Sequence, residues 1–123
     1  MFNVGDITTL MNLLPSAART ATVTGSAVDI QLMSGRCAVI LDSAAGTGTT
    51  PTLDVVIQDS DDGSTGWATV STFAQVTNAA AVQTKNSLDS NGTKRYVRAV
   101  GTITGTSPSF AFSVNLLGAR QYS

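Results

Sequence analysis

Apolar and polar positions alternate with a period of two through most of this chain. Leu53, Val55 and Ile57 share one face against Asp54, Val56 and Gln58, as expected of strands with one face buried. Tyr96, Arg98, Val100 and Thr102 oppose Val97, Ala99, Gly101 and Ile103, while Phe110, Phe112, Val114 and Leu116 oppose Ala111, Ser113 and Asn115 in the cleanest alternation present. Ala21 and Val23, then Val28, Ile30 and Leu32, alternate with polar residues around a break at Thr24-Gly25-Ser26. The run Cys37-Ala38-Val39-Ile40-Leu41 is continuously apolar and predicts a central strand covered on both faces. Trp67 to Val76 predicts a returning strand anchored by Trp67, Val70 and Phe73, and Val82 to Lys85 a short one.

Turn chemistry separates these segments. Ser43 to Pro51 reads as a loop, Asp61-Asp62-Gly63-Ser64 as a tight turn, Ser90-Asn91-Gly92 as a hairpin, and Gly105 to Pro108 as a further reversal, because Asp, Asn and Gly tolerate positive φ. Short strands at near-regular spacing predict an all-β fold, an antiparallel β-sandwich of jelly-roll-like type.

The N-terminus departs from this period. After Asp6, a candidate N-cap, Ile7, Leu10, Met11, Leu13 and Leu14 fall at helical spacing until Pro15 stops the pattern. The expectation is a short N-terminal helical or extended arm over residues 1–18, ahead of a β-sandwich domain over 19–123. A two-turn helix is marginal alone, so the stripe Ile7, Leu10, Met11 and Leu14 must dock. It either closes one end of its own domain or lies on a neighbouring subunit.

Composition narrows the function. Charged residues are 12% of the chain against 42% hydrophobic, every acidic residue is Asp, and the net charge is −1. Such a chain has no general field to gather nucleic acid or an anionic membrane. No apolar run is long enough to span a bilayer, and the first fourteen residues make a poor signal peptide, so synthesis in a cytoplasm is expected. His is absent and Cys37 is the single cysteine, which removes the usual general base, the Cys–His pair and any multi-cysteine zinc site. The chain is expected not to be an enzyme and to need no cofactor.

Three places were candidates for chemistry. In Asp59-Ser60-Asp61-Asp62-Gly63-Ser64-Thr65, Asp59 and Asp61 have the first spacings of a calcium loop, but Gly63 comes one position early and Val70 stands where the bidentate Glu belongs. A turn is the better reading, and no metal site is assigned. Lys94-Arg95 with Arg98 is a basic cluster too small for nucleic acid; Tyr96 and Arg98 alternate onto one strand face and suit a protein interface. Trp67 is the aromatic available to stack on a sugar ring.

Two segments resemble a known family. Val56 to Trp67, reading VIQDSDDGSTGW, resembles a strand–turn–strand of small structural proteins of tailed bacteriophages. Lys94 to Val100, followed by Gly105-Thr106-Ser107-Pro108 and Phe110, is similar to the C-terminal strand pair of the same proteins. The resemblance covers roughly the C-terminal two thirds of the chain and implies a capsid decoration (cement) or minor head protein. It implies a homo-oligomer, with a trimer favoured, bound to the major capsid protein on the virion surface. The interface residues expected from the sequence pattern itself are Ile7, Leu10, Met11 and Leu14 of the N-terminal stripe and Tyr96 and Arg98 of the strand face. The alternative is a carbohydrate- or receptor-binding β-sandwich of a phage tail or fibre.

Overall fold

A computed structural model describes residues 8–30, 33–89 and 93–120. Eight strands follow in chain order: β1 (Thr8–Arg19), β2 (Val23–Thr24), β3 (Val28–Asp29), β4 (Met33–Ser43), β5 (Thr47–Ser60), β6 (Ala68–Thr72), β7 (Ala81–Asp89) and β8 (Tyr96–Arg120). All pairings are antiparallel. The C-terminal half of β8 lies between β1 and β4, with β7 beyond β4. Its N-terminal half lies between β2/β3 and β5, with β6 beyond β5. Because β8 belongs to both halves, one curled sheet becomes two four-stranded layers. That course is a jelly roll, as the sequence predicts.

The core sits between the layers. Phe110, Phe112, Val114 and Leu116 of β8 and Cys37, Val39 and Leu41 of β4 face Leu53, Val55 and Ile57 of β5 and Val97 and Ala99 of β8, all buried in one cluster. The layers approach closely at Gly101, where a Cβ would come within 2.9 Å of the Phe112 ring. The corner where β8 passes from one layer to the other is built from residues with positive φ. Gly105 (φ 125°) and Ser107 (φ 48°) lie on β8, opposite Gly48 (φ 104°) and Thr50 (φ 47°) on β5, with two register shifts between Thr47 and Thr52. Glycine carries the two most positive angles because it has no Cβ to clash there. The reversal expected at Gly105–Pro108 is therefore a bend. Pairing resumes across it at Thr49↔Thr106.

Four further expectations are corrected. No helix forms over residues 8–14: this stretch is strand, paired with β8 from Thr8↔Ala119 to Arg19↔Phe110. A bulge between Asn12 and Leu14 turns both Leu13 and Leu14 inward, each 2% exposed. Two consecutive buried leucines imitate helical spacing, but β8 supplies the hydrogen bonds and decides the outcome. The extended alternative holds for residues 8–18, and they are built into the sheet. Asp6 and Ile7 lie outside the described residues.

The Cys37–Leu41 strand is covered on one face only: Cys37, Val39 and Leu41 are buried, Ala38 and Ile40 partly so. Val70 is 40% exposed, turned out where a register shift interrupts the β5–β6 pairing between Ile57 and Gln58. Ser90-Asn91-Gly92 lies outside the described residues, and the flanking strands do not form a hairpin. β7 pairs with β4 and the start of β8 with β3 and β5, so this link joins the two layers. The margin between β6 and β7 is closed by a side chain. Gln83 accepts the Ala74 N–H at 2.9 Å and donates to the Ala74 carbonyl at 3.0 Å, imitating a backbone bridge.

Candidate functional site

Pairing of β5 with β8 brings the acidic turn and the basic cluster together, through Ser60↔Tyr96, Asp59↔Val97 and Gln58↔Arg98. Within the turn, Asp62 accepts the N–H of Ser64 at 2.9 Å and of Thr65 at 2.8 Å, and the Thr65 hydroxyl at 2.8 Å. These donors, the Thr65 N–H first, hold the Asp62 carboxyl well below the usual carboxylate range. Asp59 is buried and accepts the Lys94 N–H at 3.0 Å. Asp61 faces the Lys94 ammonium at 3.8 Å. The three carboxylates thus point to three different tasks. Among the described residues no group of three or more His, Cys, Asp or Glu could hold a metal ion.

The basic residues are held individually. Arg95 donates through Nε and Nη2 to one oxygen of Asp29 at 3.1 and 2.8 Å. Tyr96 packs over Gly63, where a Cβ would stand 3.1 Å from the ring, and the Arg95 guanidinium lies 5.1 Å from its centre. Arg98 donates from Nε to Gln58 at 2.9 Å and lies 4.1 Å from the centre of the Trp67 ring, a favourable cation–π geometry. Arg98 makes no ion pair with any described residue. Arg98 thus covers one face of the Trp67 ring.

The N-terminal stripe is divided by the sheet. Leu14 is buried, Met11 packs half-buried against the core, and Leu10 is 64% exposed. On the outer face of the β1–β8–β4–β7 layer, Leu10, Leu117 and Ala38 form one cross-strand row. The adjacent row joins Asn12 to Asn115, hydrogen-bonded at 2.9 Å, and to Ile40. The next holds Ser113, Asp42 and Val82, the last 71% exposed. Asp42 is exposed and has no hydrogen bond or ion pair with any described residue. Of this face, the sequence pointed to Leu10; a further signal was Leu117, which follows Leu116 and breaks the alternation of β8.

Cys37 is fully buried in the core. A shallow depression of about 370 Å³ at the corner is lined by Gly48, Thr50, Pro51, Thr52, Thr77 and Asn78 and holds no titratable group.

No protein-family model and no curated protein matches the sequence. Among solved structures, the fold is similar to that of the infectious bursal disease virus VP2 subviral particle, with a TM-score of 0.57 and 12% sequence identity. The similarity covers 93% of this chain and 32% of that one, so the chain spans about a third of the length of that viral protein. At this identity the likeness concerns the fold. It supports the jelly-roll course and does not identify a bacteriophage decoration family.

Proposed function

We propose that the chain is a virion structural protein: a capsid decoration subunit that binds the major capsid protein and reinforces the head. The observation that carries this reading is the jelly-roll course, similar over 93% of the chain to a viral subviral-particle protein. Fold does not by itself specify function. Two further features support the same role. The chain has no His and buries its single Cys, leaving none of the usual nucleophile–base pairs. The outer face of the first layer exposes Leu10, Val82 and Leu117, side chains suited to contact between subunits of an assembly. The role is architectural and not catalytic, on the outer surface of the shell, after synthesis in the host cytoplasm. A trimer fits the local threefold symmetry of an icosahedral shell and the prevalence of closed homo-oligomers.

The test is biochemical. Gradient-purified particles of the virus encoding the chain should contain it in fixed ratio to the major shell protein. Shells prepared without it should bind the purified chain on co-sedimentation and resist heat better once bound. Particles free of the chain, or shells that do not retain it, would exclude the role.

A further inference from the structure

The two outer faces of the sandwich carry complementary features. On the β1–β8–β4–β7 face, Asp42 is an exposed carboxylate without a partner among the described residues, flanked by Val82 in its own row and Ile40 two residues away. On the β2/β3–β8–β5–β6 face, Arg98 has no ion pair and is flanked by the Trp67 ring and by Val56 and Val100, which pair across β5 and β8. Arg19, on β1 of the first layer, is engaged with the Pro15, Ala17 and Phe112 carbonyls. On the second, Asp54 is engaged by Gln75 at 3.1 and 3.2 Å. Each face thus presents one charge unmatched among the described residues, and the two charges are of opposite sign.

We infer that the protein associates with further copies of itself head to tail, the Asp42 face of one copy against the Arg98 face of the next. This deepens the virion reading and rests on it for biological context, but not for its physical basis. The faces lie on opposite sides of one sandwich, so the contact is heterologous and repeats, closing into a ring when the rotation permits. Arg98 is prepared for the contact. Gln58 fixes Nε and Trp67 fixes the plane, leaving both Nη groups to meet a carboxylate as a fork, the geometry in which Arg binds carboxylates best. The apolar neighbours exclude water around the pair and supply the area, while the charges set register and partner choice.

Analytical ultracentrifugation of charge-reversed chains tests this. The wild type should sediment as an assembly. Arg98→Asp and Asp42→Arg should each associate at least about tenfold more weakly, because each brings like charges together. An equimolar mixture of the two single variants should associate in alternation, because Asp42 of one still meets Arg98 of the other and the two reversed positions also pair; an odd-numbered ring cannot alternate, so a closed trimer is recovered by the double variant alone. The double variant should also assemble. Circular dichroism identifies a variant that fails to fold. In that event Arg98→Gln and Asp42→Asn replace the reversals; each should weaken self-association, and mixed they should recover the single intact Asp42–Arg98 contact and stop at a heterodimer. A wild type that stays monomeric at millimolar concentration, or folded single variants that assemble like wild type, would overturn the inference. So would folded reversal variants that do not associate with each other when mixed. Particle association measured as above is independent. A chain present in particles but insensitive to these substitutions would refute the head-to-tail contact and leave the virion role standing.

Discussion

Gly46 lies against the edge of the Phe110 ring so closely that a Cβ there would overlap it, while the Thr77 carbonyl stands 2.7 Å from the same point. Phe110 is fully buried, and the Gly46 N–H donates to that carbonyl at 3.0 Å, so neither side can yield freely. Gly46→Ala should cost about 1–3 kcal/mol, the usual range for overpacking a core. Urea unfolding would measure it. A variant within about 0.5 kcal/mol of wild type would mean that the link between β4 and β5 shifts easily.

Leu10 and Leu14 separate the strand from the helix reading of the N-terminus. Leu14 is 2% exposed and Leu10 64%. Leu14→Ala should cost about 2–5 kcal/mol, whereas Leu10→Ala should stay within about 0.5 kcal/mol of wild type. Removal of Met1–Ser16 takes most of β1 from its pairing with β8 and should unfold the domain, not release an arm from an intact one. Circular dichroism of the truncated chain decides between these outcomes.

Arg19 fastens the irregular part of β1. Its Nη1 donates to the Phe112 carbonyl at 3.0 Å and the Ala17 carbonyl at 3.2 Å, its Nη2 donates to the Pro15 carbonyl at 2.6 Å, and the guanidinium lies 5.0 Å from the Phe112 ring centre. Hydrogen bonds to a charged donor exceed neutral ones in strength. Arg19→Ala should destabilise by about 1–2 kcal/mol, reduced from the charged-donor value by partial exposure. Amide exchange should accelerate in β1 well before β4 or β5.

The Asp62 turn predicts a pH dependence with a definite sign. Its folded-state pKa is depressed from the ordinary 3.8, so the charged form favours the folded state. That contribution is fully present above about pH 4 and is lost as pH falls below the unfolded value. Thermal melts from pH 7 down to pH 2 should show the wild type losing stability faster below pH 4 than Asp62→Asn. Equal slopes would mean that the turn donors do not discriminate between the ionised and protonated carboxyl.

The sequence alone determined the strands whose inward residues alternate without interruption. Leu53–Ile57, Val97–Ile103 and Phe110–Leu116 each declare a buried face because the side-chain period of a strand is two, and local order suffices to read it. The same holds for the Asp62 turn, whose donors all lie within three residues. Tertiary structure decided the rest. Leu13 and Leu14 became adjacent buried residues of a strand only because β8 offered a paired edge with a bulge. Gly105–Pro108 became a bend and not a reversal because β5 follows β8 through the corner. Ala38 and Ile40 were left half-covered because no described layer lies beyond them. Asp42 and Arg98 reached opposite faces, and Arg98 met Trp67, through pairings between residues far apart in sequence. Which strand pairs with which depends on those distant contacts, and hydropathy along the chain carries no record of them.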